Sequence, residues 1–213
     1  LTSNNTISGT QFHQFPEVNI PLVCDMSSDI FSRPVDVKRF GLIYAGAQKN
    51  MGPAGTTLVI IRDELVGQSE RILPTIMDYQ THIDKDSMFN TPPVFPIYAS
   101  MLTMQWIKGN GGVAAAAERN EKKAGTMYAE IDRNSLFDGV VDKEDRSKMN
   151  VTFVMHDVAK EAAFIDAASE VGCMSIKGHR SVGGFRASIY NAMNLEGVEK
   201  LVNVMQEFER ANG

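Results

Sequence analysis

Three short apolar runs open the chain, each rich in β-branched residues and bounded by turn formers: "NIPLVCDMSSDI" (19–30), "GLIYAGAQKN" (41–50) and "TTLVIIRDEL" (56–65). Their middles are nearly continuous rather than alternating, which suits strands buried on both faces of an α/β sheet. Between the first two, "SRPVDVKRF" (32–40) has a proline and several charges and is long enough only for a turn or so. After Pro92-Pro93 the period changes. "VFPIYASMLTMQWIKGNGG" (94–112) places apolar residues at helical spacing and stops at glycines. "VAAAAERNEKKAGTMYAEIDRN" (113–134) predicts a long alanine-rich helix, "NVTFVM" (150–155) a strand and "AAFIDAASEVG" (162–172) a helix. "SIKGHRSVGGFRASIYN" (175–191) predicts a strand, a turn and a second strand, and "EGVEKLVNVMQEFERANG" (196–213) an amphipathic last helix. The order predicts two packed units, residues 1–108 and 109–213, the first mainly a parallel sheet with helices and the second a smaller α+β fold. Trp106 and the methionines fall in apolar helical stretches and are expected in the core.

Composition narrows the function classes. At 213 residues and 43% apolar content the chain can bury a sizeable core. A net charge of −5, with no basic block longer than Lys122-Lys123, leaves no electrostatic footprint for nucleic acid. No apolar stretch approaches the ~20 residues that span a bilayer, and no secretory signal opens the chain. The two cysteines, Cys24 and Cys173, lie far apart and provide neither a disulfide framework nor a metal pair. Together these features predict a reducing, cytoplasmic setting without a metal site, in which the sequons at Asn4 and Asn150 are chance matches. The chain starts "LTSNNTISG", without Met, and reads as a piece of a longer protein.

Candidate chemistry centres on "YAGAQKNMGPAG" (44–55), where Lys49 follows an apolar strand and sits among Gly46, Gly52 and Gly55. A lysine that attacks a carbonyl must become a neutral amine, which burial or a neighbouring cation promotes. By itself the stretch suits a solvated loop lysine equally, and its spacing is not that of a Walker A loop. Asp25 closes "PLVCD" where ligands bind at the carboxyl edge of an α/β sheet, although Ser27 and Ser28 beside it also allow a capping role. An Asp ending one strand and a Lys ending the next form a pair suited to pyridoxal phosphate. The lysine carries the cofactor, and the carboxylate keeps its pyridine nitrogen protonated.

"CDMSSDIFSRPVDVKRFGLIYAGAQKNMGPAG" (24–55), "DSMFNTPPVF" (86–95) and "GHRSVGGFRASIYNAMNLEGVEKLVNVMQEFE" (178–209) resemble the phosphoserine aminotransferases, fold-type I pyridoxal-phosphate enzymes of class V, in content, order and spacing. The resemblance runs from Thr2 to the end of the chain. It implies part of the large cofactor-binding domain followed by the small C-terminal domain. It further implies that Lys49 is the Schiff-base lysine, Gln48 a phosphate contact, Asp25 the partner of the pyridine nitrogen and Thr6 a residue that hydrogen-bonds the cofactor. Asn90 and Thr91 match a pair that reaches the cofactor phosphate of the other subunit, which implies a homodimer. His179, Arg180 and Arg186 match positions that bind the substrate's phosphate and carboxylate.

Read without the resemblance, Asn90-Thr91 before two prolines suits a helix N-cap, and His179-Arg180 a surface basic pair. The frame "GHRSVGGFR" adds glycines for close approach and two guanidiniums for bidentate anion binding. The implied reaction is transamination between glutamate and 3-phosphohydroxypyruvate. In the family, roughly the first third to two fifths of the subunit precedes the stretch seen here. The rival readings are another fold-type I activity, such as an alanine-glyoxylate type aminotransferase or a cysteine desulfurase, and a non-catalytic piece. Neither Cys24 inside a strand nor Cys173 after a helix looks like an exposed, mobile nucleophile for a desulfurase.

Overall fold

A computed structural model describes all 213 residues. Its first element was not foreseen: a hairpin of β1 (Asn4–Asn5) and β2 (Thr10–Gln11), paired antiparallel. The side chain of Asn5 makes the turn, its Oδ1 accepting from the amides of Ile7 and Ser8 at 3.0 Å each. Gly9 (φ 75°) presses so closely on the segment carrying Thr152 that a Cβ would lie 2.3 Å from Thr152 Oγ1. No side chain fits there.

The three apolar runs give β3 (Val23–Asp25), β4 (Leu42–Gly46) and β5 (Thr57–Ile61) in one sheet. β3 pairs parallel with β4, bringing Asp25 opposite Tyr44, and β4 pairs antiparallel with β5. Cys24, Met26, Ile30, Phe40, Ile43 and Ala45 form the core of this unit. Burial on both faces does not hold: the cross-strand partners Tyr44 and Val59 are exposed. This chain lays its packing on one face of the sheet, so the apolar run fills only half of its expected role.

A short α1 (Tyr79–Ile83) follows, capped by Asp78 accepting from the Gln80 amide. Then come α2 (Val94–Gly109) and α3 (Gly112–Arg133). Pro93 is the N-cap of α2 and Pro96 sits in its first turn, where no helical amide is lost. Gly111 (φ 87°) and Gly112 (φ 69°) reverse the chain between the two helices. Trp106 corrects the sequence expectation: it is 43% exposed, with the Arg119 guanidinium 6.0 Å from its ring centroid. The methionines divide. Met26, Met51, Met127, Met149, Met155 and Met205 are buried, whereas Met77, Met88, Met101, Met174 and Met193 are exposed.

The second unit consists of β6 (Phe137–Gly139), β7 (Asn150–Met155), α4 (Glu161–Glu170), β8 (Phe185–Ser188) and α5 (Leu195–Asn212), with strand order β6-β7-β8, all antiparallel. The first arm of the expected strand-turn-strand is only a single bridge, Lys177 to Phe185. A cluster of phenylalanines holds this core: Phe164 lies 4.9 Å from Phe137 and 5.0 Å from Phe185 between ring centroids. Such edge and tilted contacts contribute about 0.5–1.5 kcal/mol each beyond burial.

The N-terminal hairpin joins the units. Ser3 donates its amide to Asp25 O at 2.9 Å, while the Ser147 amide donates to Gly9 O at 2.8 Å. Both sequon asparagines are buried (Asn4 2%, Asn150 0% exposed), and Asn4 Nδ2 donates to Asn150 Oδ1 at 2.9 Å. They are cross-links of the fold and offer no acceptor surface for a glycan.

Candidate active site

Two neighbouring strands place the central pair. Asp25 ends β3 and Lys49 stands in the turn that follows β4, so the parallel pairing brings carboxylate and amine to one edge of the sheet. Asp25 Oδ1 accepts from the Ser27 amide at 2.8 Å. The capping alternative is therefore partly real, for Asp25 fixes its own turn while presenting a charge to the site.

Lys49 is half-buried, and its Nζ donates to Thr6 Oγ1 at 2.8 Å. Burial lowers its pKa, the Asp25 carboxylate opposes that shift, and the Arg186 guanidinium reinforces it. The lysine is thus held closer to the neutral amine than a solvated lysine would be. Thr6 stands in the hairpin turn closed by Asn5, and its carbonyl accepts from Arg186 Nη1 at 3.5 Å. Arg186 rides on β8 opposite Thr152, and its Nε is buried without a partner. Thr6, Asp25, Lys49 and Arg186, from four separate segments, meet at one place.

The other expected positions are less tightly gathered. Gln48 is exposed and its side chain folds over Gly46, where a Cβ would lie 2.6 Å from Gln48 Oε1. His179 and Arg180 lie in the turn before β8, closed by the Gly178 amide donating to Gly184 O at 2.7 Å. A Cβ on Gly178 would come 2.0 Å from Gly183 O, so this glycine is what lets the turn close. His179 Nδ1 pairs with Ser181 Oγ at 2.7 Å, and Arg180 is exposed and makes no ion pair. Beside Arg186, a cavity of about 420 Å³ opens among Ile7, Ser8, Val140, Phe153 and Val182. Asn90 and Thr91 are exposed and stand apart: Asn90 lines a different groove with Gly55, Thr57, Tyr79 and His82. Neither caps α2, whose N-cap is Pro93.

The residues around Lys49 fit pyridoxal phosphate by their chemistry: an amine of lowered proton affinity for its carbonyl, a carboxylate for its ring nitrogen and a hydroxyl for its ring oxygen. An unpartnered guanidinium nitrogen stands ready for an anion. The chain matches the model of the family described as "Aminotransferase class-V" over residues 1–201. It belongs to the class-V aminotransferases. Among curated members it is 59% identical over 208 residues to the phosphoserine aminotransferase of Flavobacterium psychrophilum, covering 98% of this chain and 58% of that protein. It is 57% identical over 213 residues to that of Phocaeicola vulgatus, covering 99% of this chain and 60% of that one. Among solved structures, the phosphoserine aminotransferase of Bacillus circulans superposes with a TM-score of 0.96 at 48% identity, over all of this chain and 59% of that one. That of Trichomonas vaginalis, solved with PLP bound, gives 0.92 at 40% identity, over 96% and 59%. The chain thus spans about three fifths of the length of the relatives it matches. These likenesses make the large part of this class-V chain a fold-type I α/β unit, as expected.

Several residues that shape the site carried no sequence signal. Asp29 is buried, held by Gln11 Nε2 at 3.1 Å and by Ser3, and burial raises its pKa. Lys123, half of the Lys122-Lys123 pair, is 2% exposed. Its Nζ donates to the carbonyls of Ile189 at 2.9 Å and Tyr190 at 2.7 Å. A lysine on the inner face of a helix is indistinguishable in sequence from one that snorkels to solvent.

Proposed function

We propose that this chain is the part of a phosphoserine aminotransferase that holds the catalytic lysine, and that the protein transfers an amino group between glutamate and 3-phosphohydroxypyruvate with pyridoxal phosphate. The observation that carries the reading is the meeting of Lys49, Thr6 and Asp25 at one sheet edge in a class-V chain. When bound, the cofactor supplies an electron sink for the carbanion at the substrate's Cα. Asp25 holds a proton on the pyridine nitrogen. Thr6 would orient the ring, and the Lys49 amine would take the proton from the substrate's Cα and deliver it to the carbon of the cofactor's former carbonyl.

Gln48 binds at the cofactor phosphate. Arg186 holds the α-carboxylate that both substrates share, its buried Nε still lacking a partner. His179 and the unpaired Arg180 receive the phosphate of one substrate or the distal carboxylate of the other. Asn90 and Thr91 serve the site of a second subunit in a homodimer. Their separation from Lys49 supports this, as does the exposed apolar surface of α2 beside them, where Val94 is 70% and Phe95 72% exposed. No helix is long and apolar enough to cross a membrane, and the cytoplasm is the proposed compartment. Borohydride reduction of the cofactor-loaded protein followed by peptide mapping should place a pyridoxyl group on Lys49. Labelling at Lys38 or Lys85 would overturn the reading.

A further inference from the structure

Three consecutive carbonyls in the turn after Asp25 are each held by a different buried asparagine. Asn50 Nδ2 donates to Ile30 O, Asn191 Nδ2 to Phe31 O and Asn120 Nδ2 to Ser32 O, each at 3.0 Å. These side chains come from the turn carrying Lys49, from the segment after β8 and from α3. They also bind one another: Asn120 Nδ2 donates to Asn191 Oδ1 at 2.8 Å, and the Asn191 amide to Asn50 Oδ1 at 3.0 Å. Lys123 grips the preceding carbonyls of the same segment, those of Ile189 and Tyr190.

The turn they hold is strained. Phe31 has φ 58°, a left-handed conformation that a bulky side chain keeps only when its surroundings impose it. Held only by apolar packing, the turn would be free to relax. Directional bonds from three elements remove that freedom. Asn50 is the chain neighbour of Lys49, and the strained turn begins a few residues beyond Asp25, so both members of the central pair are tied to one buried network.

We propose that Asn50, Asn120 and Asn191 are positioning residues that hold the Lys49 amine at a fixed place against the Asp25 carboxylate. The small unit then sets the reactivity of a lysine it does not itself carry. This rests on the reading of Lys49 as the cofactor lysine, and the borohydride experiment tests that reading separately.

The test is the pH dependence of Lys49 acylation in the chain without cofactor, read by peptide mass for wild type and Asn191→Ala. Loosening the clamp admits water to the amine, so the midpoint should move up toward that of an ordinary lysine, by on the order of half a pH unit or more. In the cofactor-loaded protein, kcat should fall about tenfold while KM for glutamate changes less than about twofold. A wild-type acylation profile in a folded variant would overturn the proposal and leave the network merely structural. Asn191→Ser, uncharged and with a hydroxyl that can still hydrogen-bond, is the milder variant if the alanine does not fold; a smaller shift in the same direction is expected. Wild type alone also decides: in rising urea, Lys49 should reach open-state reactivity together with loss of hydrogen-exchange protection at the Asn191 amide. Reactivity that opens while that amide stays protected would contradict a clamp.

Discussion

Replacing Lys123 with methionine isolates the cost of a buried cation. In the folded chain Lys123 is nearly without solvent contact, and burial with the nearby Arg119 guanidinium lowers its pKa from 10.5 to about 8. The unfolded chain therefore binds more protons than the folded one between those values, and stability must rise with pH across that window. At about 1.36 kcal/mol per pH unit, the full penalty below pH 8 is roughly 3 kcal/mol, of which about 1.3 kcal/mol is recovered between pH 7 and pH 9. Lys123→Met removes that slope. It also orphans the carbonyls of Ile189 and Tyr190, at about 1–3 kcal/mol each, so its net effect at pH 7 is the difference of two similar quantities and decides little.

The pH dependence of the difference between the two proteins is the decisive quantity. Cys24, raised by burial to about 11, and Tyr128, also raised by burial, oppose the trend as the unfolded thiol and phenol ionise. Both are present in either protein and cancel. Urea unfolding followed by circular dichroism at pH 7, 8 and 9 should show the wild type gaining on the variant by about 1 kcal/mol, with equal m-values. A difference that stays constant over that range would refute the buried-cation account.

Asp25→Asn should leave cofactor bound yet slow transamination by several powers of ten, each tenfold being ~1.4 kcal/mol of barrier, because a neutral amide no longer holds the ring nitrogen protonated; near-normal turnover would remove Asp25 from that role. Arg180→Ala should raise KM for the phosphorylated keto acid with little change in cofactor binding, and Arg186→Ala should impair both half-reactions, since both substrates carry an α-carboxylate. The loss expected for one charge-assisted bond is about ten- to a hundredfold in kcat/KM, and stopped-flow half-reactions with each substrate separate the two variants. Unchanged kinetics with 3-phosphohydroxypyruvate in Arg180→Ala would disprove the phosphate assignment.

What could be seen in the sequence followed the strength of the local signal. "NVTFVM" is β7 residue for residue, and α3 and α5 lie within a residue or two of their periodic stretches, since apolar spacing and glycine stops fix such elements locally. The β1–β2 hairpin escaped notice because its one apolar residue, Ile7, makes no alternating pattern: its order comes from Asn5 bonding to its own turn and from contacts with residues far along the chain. Trp106 misled because helical spacing shows which side of α2 a residue lies on, without saying whether anything in the chain covers that side. In the site, the Lys49–Asp25 pair was legible as two strand ends. Lys123 and the three asparagines were not, because a polar residue that bonds to backbone across the fold looks in sequence like one that bonds to water.

The hairpin that presents Thr6 has a consequence for the order of assembly. Asn4 meets Asn150 across 146 positions of sequence, and Thr6 O meets Arg186 Nη1 across 180. Closing loops of such length is entropically slow, and during synthesis neither partner exists until most of the chain has left the ribosome. The β4–β5 pairing and the turn carrying Lys49 need only nearby residues and can form early. The hairpin is also tied to the first unit over short separations, Ser3 to Asp25 and Asn4 to Ser28, so Thr6 can reach Lys49 early, and only its bond with Arg186 must come last. A chain stalled before β7 would carry the amine and its hydroxyl partner without the guanidinium that closes over Thr6.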